Sequence, residues 1–145
     1  MGSSMSVCIA REDVTPEEVR AFVLGMGGYG DENPNVSSLM SSAQGYIMIF
    51  PEAEVIPVLR EDHPKDFHYV CTALPGEPQS AITIDIGSHG DSHVFAFSFA
   101  YACMEKWRSS VLYFDESDPV VLTRQMIADI IRNKGAYKSQ PFSFE

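Results

Sequence analysis

Asp91-Ser92-His93-Val94-Phe95-Ala96-Phe97-Ser98-Phe99-Ala100-Tyr101-Ala102-Cys103-Met104-Glu105-Lys106-Trp107 is the stretch on which the fold turns. Phe95, Phe97, Phe99 and Tyr101 alternate with small residues, which is the period of a half-buried strand. The apolar run is too long for an ordinary strand, however. Asp91 or Ser92 is placed to cap a helix, and Met104-Glu105-Lys106-Trp107 continues one naturally. Length decides for a mostly buried helix. The run from Val94 to Met104 is interrupted by Ser98 and falls short of the roughly 20 residues that a membrane span needs.

Outward from that helix, the next segments are a strand over Val111 to Phe114 and an amphipathic helix capped by Thr123. That helix carries Met126, Ile127, Ile130 and Ile131 on one face and stops at Gly135. Upstream, Val7 to Ala10, Tyr46 to Phe50, Phe67 to Ala73 and Ala81 to Ile86 read as strands. Val55 to Leu59 carries Pro57 and reads as an edge strand or loop. Thr15-Pro16-Glu17-Glu18 combines a cap, a first-position proline and a capping-box glutamate, so a helix starts there; Gly25, Gly27 and Gly28 stop it. Residues 29–44 read as loop. The expectation is one α+β domain over residues 5–135: a mainly antiparallel sheet with about three helices packed on it. Met1-Gly2-Ser3-Ser4 reads as a leader left by cloning, and 136–145 as a loose tail.

The chain has 20 acidic and 10 basic residues, a net charge of −10 over 145 residues. Within residues 1–118 there are 18 acids and 6 bases; the remainder holds 2 and 4. Such a surface repels nucleic acid and anionic membranes and attracts basic partners. Cys8, Cys71 and Cys103 are odd in number, show no CxxC spacing and sit in apolar runs. They read as buried thiols of a cytoplasmic protein. No signal peptide is seen at the amino terminus.

Gly25-Met26-Gly27-Gly28-Tyr29-Gly30 matches GxGxxG, but it follows a helix rather than a strand. It leads into Asp31 and Glu32, which repel phosphate. Gly90-Asp91-Ser92 resembles the nucleophile motif of the GDSL hydrolases. That family pairs the serine with a DxxH base; here the residues three before each histidine are Arg60, Lys65, Ile86 and Gly90. Without a base the serine is a weak nucleophile. His89, Asp91 and His93 are the best metal-ligand set, and a small metal-dependent hydrolase is the enzyme reading they support. The competing reading is a polar loop whose Asp91 caps a helix, which leaves no metal and no catalytic set.

The acids cluster in expected loops. Asp31, Glu32, Glu61, Asp62, Asp66, Asp115, Glu116 and Asp118 are the residues expected to meet a partner. Apolar residues lie among them, as an interface with an acidic rim requires. In size, charge and architecture the chain resembles the immunity proteins of bacterial contact-dependent and type VI toxin systems. That resemblance implies a non-enzymatic protein that binds and neutralises a cognate, basic toxin domain, with no cofactor. An acidic mimic of nucleic acid is a third reading.

Overall fold

A computed structural model describes residues 3–41, 45–87 and 92–133. Among the described residues seven strands form one sheet: β1 (Ser3–Ala10), β2 (Tyr29–Gly30), β3 (Ser37–Ser41), β4 (Gly45–Pro51), β5 (Pro78–Ile86), β6 (Ser110–Tyr113) and β7 (Val121–Leu122). Their spatial order is β2-β3-β4-β5-β1-β6-β7, and every neighbouring pair is antiparallel. Each edge strand has two residues, which leaves little unpaired backbone for another chain to join. Pairing begins at Ser3 opposite Ile86, so the opening strand takes in two residues of the expected leader.

Among the described residues five helices pack on this sheet, more than the expected three or so: α1 (Pro16–Gly25), α2 (Val55–Asp62), α3 (Pro64–Ala73), α4 (Ser92–Lys106) and α5 (Arg124–Arg132). α4 confirms the helical reading of the deciding stretch. It is apolar on nearly every side because it lies between the sheet and two other helices. Ala96, Phe97, Ala100 and Cys103 are fully buried, and Phe22 of α1 stacks near Phe99 and Trp107 at 6.1 and 5.3 Å. Both expected caps are present: Thr15 with Glu18 on α1, and Thr123 on α5. The stop expected at Gly135 and the tail of 136–145 lie outside the described residues.

The two extra helices correct two strand readings. Pro57 falls in the first turn of α2, where an amide N–H has no intrahelical partner to lose. Ile56 and Leu59, three apart, face inward. In α3, Pro64 takes the first position, and Phe67, Val70 and Leu74 share a face at helical spacing. Val70-Cys71-Thr72 is β-favouring in isolation; burial against the sheet overrides that propensity. His63 ends α2 and precedes α3, so the two helices form one angled pair.

The loop expected over 29–44 is also corrected. Tyr29–Gly30 and Ser37–Ser41 form a hairpin paired to β4. Asp31 Oδ1 accepts from Asn33 N at 3.0 Å, and Asn33 Oδ1 from Asn35 N at 3.0 Å, which folds the turn. The glycine run is a helix stop: Gly27 has φ of +89°, and a Cβ on Gly28 would lie 2.5 Å from Val23 and 2.6 Å from Ser38 O. The helix end is thereby pressed against β3.

Alternation along the strands makes two unlike faces. Met5, Val7 and Ile9 of β1, Ile47 and Ile49 of β4, and Ile82, Ile84 and Ile86 of β5 enter the main core beneath α1, α4 and α5. The opposite face carries Ser6, Cys8, Thr83, Asp85, Met48 and Phe50. α2 and α3 cover its β5–β1–β6–β7 side, α2 packing on β5 and α3 on β6 and β7, through a smaller cluster of Cys8, Ala10, Leu59, Val70, Leu74 and Val111.

Candidate functional site

The second face brings together acids that lie far apart in the chain. Tyr113, the last residue of β6, donates its hydroxyl to Asp66 Oδ2 of α3 at 2.7 Å across 47 residues of sequence. Burial, then the hydrogen bond to Asp66, then the charges of Asp66, Asp115 and Cys8 push the Tyr113 hydroxyl well above its ordinary pKa of 10. On one side of this bond lies a groove of about 300 Å3, lined by Glu52, Glu54, Val55, Val58, Leu59, His63, Tyr113 and Asp115. On the other lies a groove of about 570 Å3, lined in part by Lys65, Asp66, Tyr69, Asp118 and Pro119. The smaller groove has apolar walls from α2, carboxylates from two separate loops and no lysine or arginine in its lining.

The β6–β7 turn that presents Asp115, Glu116 and Asp118 is braced from inside. Ser117 is buried, with its Oγ 2.9 Å from Phe114 O and 2.8 Å from Pro119 O. The neighbouring carboxylates are thereby held outward. Glu116 accepts from Ser3 Oγ at 3.1 Å. At the other end of the groove, Glu52 accepts from Thr83 Oγ1 at 3.1 Å, and Thr83 bonds Ser6 at 3.1 Å. A polar chain therefore runs from the groove across β5 and β1.

Of the acids expected to bind a partner, Asp66, Asp115 and Asp118 converge on these two grooves. Glu116 shares their turn. Glu61 and Asp62 lie near the end of α2, outside the lining of either groove. Asp31 and Glu32 sit at the β2–β3 turn, where Arg20 donates to Asp31 O at 2.9 Å. Five strand spacings separate β2 from β6, roughly 24 Å at 4.8 Å each. These two acids therefore lie at the far side of the sheet, away from Asp66, Asp115 and Asp118. Sequence reasoning left Glu52, Glu54 and Tyr113 out of the candidate set. Glu52 and Glu54 were legible as an acidic pair, but their facing Asp115 depends on the sheet.

The enzyme candidates resolve as follows. His89 and Asp91 lie outside the described residues. His93 is half-buried on α4, its ring 6.2 Å from that of Phe114; burial lowers its pKa despite the attraction of Glu116. Among the described residues, no group of three or more His, Cys, Asp and Glu is placed to hold a metal ion. Ser92, the serine of the GDSL-like motif, is fully buried and accepts from Tyr46 N at 3.3 Å. Gly45 lets it sit there: a Cβ on Gly45 would lie 2.0 Å from Ser92 Oγ. Burial pushes the Cys8 thiol up to about 12 and raises that of Cys103, so neither is a ready thiolate at neutral pH. Cys8 and Cys103 are buried as expected, whereas Cys71 is half-buried. Among the described residues, no helix is long and apolar enough to cross a membrane.

Set beside models of protein families, curated proteins and solved structures, the chain finds no match. What it does must therefore be argued from its own surface.

Proposed function

We propose that this chain is a non-enzymatic binding protein that captures a basic protein partner on the second face of its sheet. The observation that carries the proposal is the gathering of Asp66 and Asp115 around Tyr113, beside a groove that also holds Glu52 and Glu54, with Asp118 in the larger groove that Asp66 lines. Two elements distant in sequence supply those acids. A partner's Lys or Arg entering the groove would meet several carboxylates at once, with Val55, Val58 and Leu59 to pack against its aliphatic stem. The specific form of the proposal is an immunity role in the cytoplasm: neutralisation of a toxin domain with a basic active-site cleft. The burial of Ser92 supports binding over serine-based hydrolysis.

Affinity purification of the tagged chain from its native host, followed by mass spectrometry, tests this. The expected result is recovery of a basic protein at 50 mM salt. Recovery should fall at least tenfold at 500 mM salt, and equally at low salt for the triple variant Asp66→Asn, Asp115→Asn, Asp118→Asn. Equal recovery by the variant and the wild type overturns the groove as the binding site. An immunity role further requires that co-expression with the captured protein relieve its toxicity.

A further inference from the structure

Beyond the groove, the second face continues as sheet that no other described element covers. Direct pairing places Tyr29, Ser38, Met48, Asp85 and Ser4 in one row across five strands, and Met40 opposite Tyr46 in the next. Leu39, Ile47 and Ile49 point into the main core, so Met40, Tyr46, Met48 and Phe50 point the other way. Tyr29 and Met40 are 61% and 62% exposed, and Tyr46, Met48 and Phe50 only half-buried. No described helix covers them. Large apolar and aromatic residues in one contiguous sheet patch mark an interaction surface rather than ordinary exterior.

Charge on this patch has one sign. The residues of β1 to β5 include no lysine or arginine and one acid, Asp85, at the middle of the row. We propose that this uncovered face docks a protein segment whose apolar side chains surround a lysine or arginine that pairs with Asp85. Two copies of the chain fit worse: a two-fold stack brings Asp85 toward its own copy and joins two surfaces of net charge −10. The row Phe50, Thr83, Ser6 and Tyr113 links this face to the acidic groove with Thr83 and Ser6 buried between them, and one basic partner that bridges those two residues would contact both. To that extent the docking rests on the function proposed above.

Selection of a random 16-residue peptide library on phage against the immobilised full chain separates the two ideas. Selected peptides are then titrated against four proteins: wild type, Met40→Ser with Met48→Ser, Asp85→Asn, and the groove triple variant. Each variant's thermal melt is recorded to confirm folding. The expected peptides carry aromatic or aliphatic residues around a Lys or Arg, and bind the double-serine and Asp85→Asn proteins at least tenfold more weakly. Peptides weakened only by the groove variant overturn the docking and leave the groove reading standing. Peptides weakened only by the sheet variants support the docking and count against the groove. A library that yields no binder overturns the docking. So does a concentration-dependent dimer abolished by Met40→Ser with Met48→Ser, which assigns the face to a second copy.

Discussion

The two faces of this sheet are built by the same strands and differ by a single step of register. Met5, Val7 and Ile9 alternate with Ser4, Ser6 and Cys8; Ile82, Ile84 and Ile86 alternate with Ala81, Thr83 and Asp85. The first face is sealed by three helices and holds most of the large buried side chains. The second is half covered, carries polar and charged residues, and exposes aromatics and methionines. Burying one large apolar side chain stabilises by about 1.5–3 kcal/mol, so the first face carries most of the stability. Substitutions on the second are correspondingly cheap, and that is where a binding surface is free to evolve.

The comparison breaks first at Phe97. It is fully buried beneath the sheet, 5.9 Å from the Phe114 ring. Phe97→Ala is expected to cost about 3–5 kcal/mol, read from the urea midpoint at unchanged slope. A loss under 1 kcal/mol would mean that the sealed face is not the stabilising one. Next comes Gly45→Ala, at the join of β4 and α4. The glycine has φ of +109°, and the added methyl would meet Ser92 Oγ at 2.0 Å. About 1–3 kcal/mol is expected from the strained backbone. A second substitution, Ser92→Ala, should recover only the steric part.

How much of this asymmetry was legible in the sequence differs between the faces. α1, α4 and α5 were readable because local signals agree: Thr15-Pro16-Glu17-Glu18, the length of the 91–107 run, and the cap at Thr123. All three lie on the sealed face. α2 and α3 were misread because Pro57 and the Val70-Cys71-Thr72 run favour extended structure locally, and only packing on Cys8, Ala10 and Val111 makes them helical. The β2–β3 hairpin was hidden by serines whose strand character comes from pairing with β4. The acids were visible one by one. That Asp66 meets Tyr113 across 47 residues, while Asp31 sits at the far edge of the sheet, is a consequence of strand order and has no local signature.

Tyr113 tests the covered half of the second face. Tyr113→Phe removes the bond to Asp66 and is expected to cost about 1 kcal/mol. The hydroxyl's pKa is raised on folding, so its contribution is fully present below pH 10, the ordinary tyrosine value, and is lost as pH rises through the folded pKa. Denaturation between pH 9 and 12 should therefore show the wild type losing more stability than Tyr113→Phe. Parallel loss in the two proteins would mean that the bond does not hold α3 to β6 in solution.

The smallest effects belong to the open half, and there the sign matters more than the size. Met40→Ser should change stability by no more than about 0.5 kcal/mol, since the side chain is largely exposed. Asp85 goes further. Asp85 is exposed, yet partial desolvation by its neighbours raises its carboxyl pKa, so the folded state holds the proton more tightly than the unfolded one. Stability from this group is then greatest below pH 3.8 and falls as pH rises through the folded pKa. Asp85→Asn removes that decline. The variant should match the wild type near pH 3 and equal or exceed it at pH 7, as melting at the two pH values would show. A wild type more stable than the variant at pH 7 would mean that Asp85 is held by an attraction within the fold. The expected order means that its charge weakens the fold at neutral pH, on an open apolar face where asparagine would fit. A lone carboxylate that adds nothing to the fold is the group we expect a docked lysine or arginine to pair with.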